Sequence, residues 1–435
     1  MVFLPRFYFT LVTAILLALA STGVAGSLVP SVLLTLLLTG SVLADIAFIP
    51  RQALQATRQV PPLLRQAQPF EVTLTLLNQG DTTASFQIID SPPAAFTGSR
   101  QAIAFRLGPH REITQTYTLK SYQRGTFAFG ALFYRIAGPL GLIQRQGKIE
   151  LPQVVQVLPD MTGEGSRDLQ LALAGALQAG HRKSARRGEG REFESLREHR
   201  RDDDFRHIDW KASAKRGKLI ARQYETERDQ RLMILLDIGR LMSPRIGPYR
   251  KLDYAINASI HLAQVALHKG DLVGYAIFND EMRAFAEPKK GQAQMAHFVK
   301  NLTSLQPSRL ESDYAAVFHQ VLKRCSRRTL IVCFTDLGDS QSAQSLLNAA
   351  LPLTPRHLPV IVTVSNSEIL AVTRKMPETE FEVYRHVAAT EIWNDYQRTL
   401  RGLRSRGVTA VSVPAQELST ATINEYLRIK ESARL

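Results

Sequence analysis

From Leu232 to the C-terminus, short apolar runs alternate with stretches of helical period, and this alternation constrains the fold more than any other feature of the chain. The runs "LMILLDIG", "DLVGYAIFN", "TLIVCFTDLGD", "LPVIVTVS" and "VTAVSVP" read as strands. Helices are expected over 253–269 (capped by Gly270), 292–305, 312–325, 342–351, 390–406 and 420–430. Strands without a polar face must be buried on both sides, so the pattern demands a mostly parallel sheet covered by helices. Ligands of such sheets sit beyond the carboxyl ends of the strands, where Asp237 and Asp336 both fall. There is no Gly-rich phosphate loop of the P-loop or dinucleotide type, so nucleotide hydrolysis is not expected.

Residues 59–160 change to a period of two, as in "FEVTLTLLN" and "EITQTYTLKSY", with turns at 78–81, 91–93 and 108–109, which predicts an antiparallel β-sandwich. Residues 161–190 lack an apolar period and read as a linker. Before the sandwich, 7–24 and 29–49 are apolar runs near the roughly 20 residues that cross a hydrocarbon core. With Gly26 and Ser27 between them, residues 1–58 predict a transmembrane helical hairpin in contact with membrane lipids. The competing reading is a signal peptide cleaved near Ala18-Leu19-Ala20. Arg6 before the first run, and Arg51, Arg58 and Arg65 after the second, place both ends in the cytoplasm, and hence a two-helix protein of the inner membrane. Asp45 is expected at the membrane interface, and Cys325 and Cys333 as buried core thiols in a reducing compartment. The expected fold is therefore an α/β domain over 191–435, a β-sandwich and an N-terminal hairpin.

The chain carries 54 Lys and Arg against 39 Asp and Glu, a formal charge of +15, which favours an anionic partner. Charge is densest around "LREHRRDDDFRHIDWKASAKRGKLIARQYETER". Arg197-Glu198, Asp203, Arg206, Ile208-Asp209-Trp210, Ser213-Ala214 and Glu225 there match, at fixed spacing, the signature of domain-of-unknown-function family 58, and the region after them resembles a von Willebrand factor A domain. His199, Asp202 and Lys215 depart mildly from that signature, and "AGPLGLIQR" at 137–145 resembles a further family stretch. The resemblance implies a Rossmann-type von Willebrand factor A-like fold. It also implies a non-enzymatic assembly factor that partners a MoxR-type AAA ATPase and acts on a client complex. The charged cluster reads either as a network ordering this segment, with Arg197 and Arg206 paired to Asp203, Asp209 or Glu198, or as a partner-binding face.

A metal-ion-dependent adhesion site of that domain type uses Asp-x-Ser-x-Ser, a Thr and an Asp to give Mg²⁺ its oxygens. Here Asp237 keeps the first position, Gly239 and Leu241 replace both serines, Ser312 stands in for the Thr, and Asp336 fits the third loop. The metal site is degenerate: tight Mg²⁺ binding is not expected, while protein docking at the strand ends is.

Two rival readings remain. Asp209-Trp210-Lys211 has the carboxylate-x-Lys form of metal-dependent nucleases, in a region basic enough to attract nucleic acid. The stretch 182–201, with Arg182, Lys183, Arg186 and Arg187 at its start, reads either as a solvated loop with no specific anion or as a binder of anionic lipid headgroups, which it suits better than bases because Phe193 is its only aromatic residue for stacking.

Overall fold

In residues 54–158 the period of two becomes sheet. Strand Phe70–Asn78 buries Val72, Leu74 and Leu76, and pairs antiparallel with Leu54–Gln59 on one side and Glu112–Ser121 on the other. Phe96–Gly98 completes this four-stranded sheet. A second sheet runs in the order Val2–Phe3, Ile143–Ile149, Leu132–Ala137, Ala84–Ile89, Ile103–Leu107, all antiparallel. Leu74 and Leu76 of the first share one core with Phe86, Ile88, Leu132 and Ile136 of the second. A third, three-stranded sheet departs from the all-antiparallel expectation, because Gln153–Leu158 lies parallel to Leu63–Arg65.

The computed structural model describes residues 2–25, 29–49, 54–98, 102–160, 192–199, 205, 208–225, 229–338, 340–365 and 367–432. They fall into two units, Met1–Leu158 and Pro159–Leu435. The segment 161–190, expected as a linker, lies outside the described residues.

The N-terminal runs do form helices, Pro5–Ala25 and Val29–Phe48. Among the described residues, however, no helix is long and apolar enough to cross a membrane. This overturns the transmembrane hairpin and the two-helix membrane localisation read from it. The physical reason lies at the helix ends, which belong to the β-rich unit: Phe7, Val42 and Ile46 pack on its core and Ile49 is buried in it. Asp45, expected at an interface, is wholly buried. Its carboxylate accepts the backbone N–H groups of Leu140, at 2.8 Å, Leu142, at 2.8 Å, and Ile143, at 3.0 Å. The loop can wrap it because residue 138 is glycine; a Cβ there would sit inside the carboxylate. Arg58, read as a flanking charge, is also buried: it is ion-paired with Asp90 and donates to the carbonyls of Leu151 and Gly130, while Tyr117 donates to Asp90.

In the second unit the six-stranded sheet runs Met282–Lys289, Leu272–Phe278, Arg231–Asp237, Leu330–Phe334, Leu358–Val364, Thr409–Val413. Every neighbouring pair is parallel except the first. Alternate residues of Arg231–Asp237 feed two cores on opposite faces, Leu232, Ile234 and Leu236 into one, Met233 and Leu235 into the other. That double burial is why the strand shows no polar alternation. Cys325 and Cys333 are free and buried.

Replacing Asp45 with Ala orphans the amides of Leu140, Leu142 and Ile143, the last two in buried bonds, and the loss of hydrogen bonds to a charged acceptor is expected to cost about 3 kcal/mol. Chemical denaturation followed by circular dichroism will show it as a lowered midpoint of the β-rich unit; an unchanged midpoint would refute the assignment.

Candidate functional site at the strand ends

The signature segment forms its own small structure. Glu192–Glu198 and Ile220–Glu225 make an antiparallel ribbon, and Trp210–Arg216 is a short helix between them. Asp209 is that helix's N-cap, accepting the Ala212 amide at 3.0 Å. The Ser213 hydroxyl donates to the Asp209 carbonyl at 2.7 Å and accepts the Ile220 amide at 2.8 Å, tying helix to ribbon. Ile208 is buried, whereas Trp210 is 67% exposed. Glu198 pairs with Lys218 in solvent. Asp203 and Arg206, and the side chains of Arg197 and Glu225, lie outside the described residues, so the pairings expected of them do too. In the nuclease-like triplet, the Asp209 carboxylate is engaged by the helix cap while Lys211 is exposed.

At the strand ends the sequence-derived positions do converge. Asp237, 1% exposed, ends the strand Arg231–Asp237. Its Oδ1 accepts the Ser312 hydroxyl at 2.5 Å and the Gly239 amide at 2.7 Å; its Oδ2 accepts Thr335 at 2.6 Å and Tyr314 at 3.0 Å. Glycine at 239 leaves room for this contact, since a Cβ there would meet Ser312 Oγ in the position from which it bonds Asp237. Burial is the largest influence on Asp237 and raises its pKa against the lowering effect of these four donors. Ionising it is therefore costlier in the fold than in the open chain, and the stability it contributes falls as pH rises through the ordinary value of 3.8.

Asp336 follows Thr335, at the end of the neighbouring strand. Its Oδ2 accepts from Lys251 Nζ at 2.6 Å and its Oδ1 from Thr363 at 3.2 Å. Both members of the Lys251–Asp336 pair are buried, with side chains 8% and 5% exposed. Lys251 is the first residue of the helix Lys251–His268, where a cation is the wrong sign for the helix dipole. That misplacement was the available signal, and sequence reading missed it, along with Tyr314, Thr335 and Thr363.

These groups do not fit a divalent cation. Magnesium asks for about six oxygens in octahedral array. Gly239 and Leu241 offer no side-chain oxygen, the Asp237 oxygens take four protein donors, and an ammonium already neutralises Asp336. Among the described residues, no group of three His, Cys, Asp or Glu could hold a metal ion. Arg240, on the same loop as Gly239, pairs with Glu311 at 2.9 Å, both side chains being half or more exposed.

The fold and site define an α/β unit whose strand-end carboxylates are satisfied by protein groups. The family described as "Protein of unknown function DUF58" matches residues 195–372, which bears out the resemblance of the charged signature to domain-of-unknown-function family 58. The chain is 24% identical over 270 residues to the "Uncharacterized protein YeaD" of Bacillus subtilis (strain 168). That alignment covers 59% of this chain and 64% of the relative, so the chain spans less than two thirds of that protein's length. Among solved structures, the CARDB domain of a Pyrococcus furiosus protein is 15% identical, with 24% of this chain and 87% of that one covered and a TM-score of 0.19. Proximal thread matrix protein 1 of the mussel byssus is 8% identical, with 46% of each chain covered and a TM-score of 0.27.

Two outcomes are expected of this site. Lys251→Ala leaves Asp336 buried and unpaired and should cost about 3–5 kcal/mol in urea denaturation; adding Asp336→Asn should recover much of it, and millimolar Mg²⁺ or EDTA should leave the wild-type midpoint unmoved. The second concerns alkali. Burial, then the charge of Asp237, holds the Tyr314 phenol well above its ordinary 10.0. A raised phenol stabilises the fold fully below that value, and the contribution is lost as pH climbs past it. Tyr314→Phe should therefore flatten the fall in stability above about pH 10, read by denaturation midpoints across pH 8–11.

Proposed function

We propose that this protein is a non-catalytic adaptor or assembly factor that docks protein partners at the strand-end face of a von Willebrand factor A-like domain, and that it works with a MoxR-type AAA ATPase on a client complex. The observation that carries the reading is the Lys251–Asp336 pair together with the fourfold hydrogen-bonded Asp237. In the adhesion site that the sequence resembles, a metal organises these loops. Here an internal ammonium and four donors supply the same cohesion, so the face is held in one shape without a metal. A preorganised surface lowers the ordering cost of association. The ATPase partnership and the domain type rest on the resemblance of Arg197-Glu198, Asp209-Trp210 and Ser213 to the family signature.

The test is affinity capture by the tagged full chain from its native cell extract, comparing wild type with Arg240→Glu and Glu311→Arg. Those two side chains are half or more exposed on the strand-end loops, so reversing their charge spares the core. Wild type should recover an AAA ATPase, and each reversal should reduce recovery about tenfold, as for a contact worth some 1.4 kcal/mol. No ATPase from wild type would remove the partnership; undiminished recovery by both variants would move docking off this face.

A further inference from the structure

Beside the Lys251–Asp336 pair opens a cleft of about 270 Å³. One wall is Leu241, Pro244 and Ile246; the other is Ile369 from the helix Ser367–Arg374, with Ile392 and Trp393 from the helix Glu380–Ser405. Pockets for cofactors and drug-sized ligands run from roughly 300 to 1,000 Å³. This one is smaller, and its size and walls suit one large apolar side chain of a peptide. Its charge is equally particular. Asp336, the single carboxylate among the lining residues, is already neutralised by Lys251. Lys251 Nζ has three hydrogens and spends one on Asp336. Arg245, exposed on the rim, pairs with no carboxylate among the described residues. The lining therefore holds a surplus cation and spare N–H donors next to an apolar slot.

We propose that this cleft binds a short acidic peptide segment of a partner protein, seating one apolar side chain between Ile246 and Trp393 and giving an adjacent carboxylate to Arg245 and the spare N–H groups of Lys251. The proposal rests on the docking reading of the same face and specifies what docks there. The apolar anchor supplies the buried contact, and the carboxylate fixes its orientation, because a guanidinium and an ammonium beside apolar walls are desolvated as the peptide seats. A neutral amide in the same place still accepts a hydrogen bond but leaves the Arg245 charge uncompensated as it loses water.

The probe is a peptide carrying fluorescein on its N-terminal amine, fluorescein-Gly-Glu-Asp-Leu-Phe-Glu-Gly-amide, titrated with the full chain and followed by anisotropy. Two controls replace its acids by Gln and Asn, or its Leu and Phe by Ser. Wild type should bind the parent saturably and each control at least about tenfold more weakly. Arg245→Ala and Ile392→Ser, both at exposed positions, should each weaken the parent peptide by a similar factor while leaving the denaturation midpoint unchanged. Equal binding of acidic and amide peptides, indifference to both variants, or no saturable binding would each overturn the proposal. The capture of an AAA ATPase is read separately, so failure of this peptide chemistry and failure of docking at the face are distinguishable.

Discussion

A buried carboxylate at the end of a central parallel strand is the constraint around which the second unit is arranged. Asp237 cannot reach water, so its lone pairs must be met by the protein, and its four donors come from three stretches of chain: the Gly239 turn, Ser312 and Tyr314 from the segment opening the helix Tyr314–Arg324, and Thr335 just beyond the adjacent strand. One side chain thus fixes three connections that loop entropy would otherwise scatter. Lys251 does the same one strand away, holding the start of the helix Lys251–His268 against Asp336. Where a metal would bind such loops reversibly, covalently tethered donors bind them permanently.

How much of this could be read in advance depended on whether the signal was local. Period and burial are local properties, so five strands of the six-stranded sheet and most of the helices around it were legible; the two extra residues Lys251 and Leu252, the first ten residues of the helix Glu380–Ser405, and the helix Ser367–Arg374, were not. The edge strand Met282–Lys289 was also missed, because its pattern is half-exposed and its pairing is antiparallel in a sheet otherwise parallel. At the site, the positions of Asp237, Ser312 and Asp336 followed from the resemblance, but the partners that satisfy them did not. Lys251 lies 85 residues from Asp336, and Thr335 lies 98 from Asp237. Separation of that kind leaves no periodic trace.

The N-terminal helices teach the opposite lesson. Apolar composition says that a segment avoids water, not what replaces the water. Phe7, Val42, Ile46 and Ile49 turn toward the core of the β-rich unit, and a carboxylate that a hydropathy reading takes as a boundary mark lies in a cradle of three amides. The glycine-containing stretch at 137–145 had been legible as a motif; its physical reason, closeness of backbone to carboxylate at Gly138, became visible only with the fold.

The antiparallel edge strand has one further consequence. Along it the ladder to Leu272–Phe278 slips twice, between Val273 and Tyr275 and between Ile277 and Phe278, and Pro288 removes a backbone donor near its end. An edge broken by bulges and a proline is a poor template for another strand. Growth of the sheet from this side, whether by a partner's β-segment or by a second copy, is discouraged by the backbone itself, so recognition on this flank of the molecule falls to side chains.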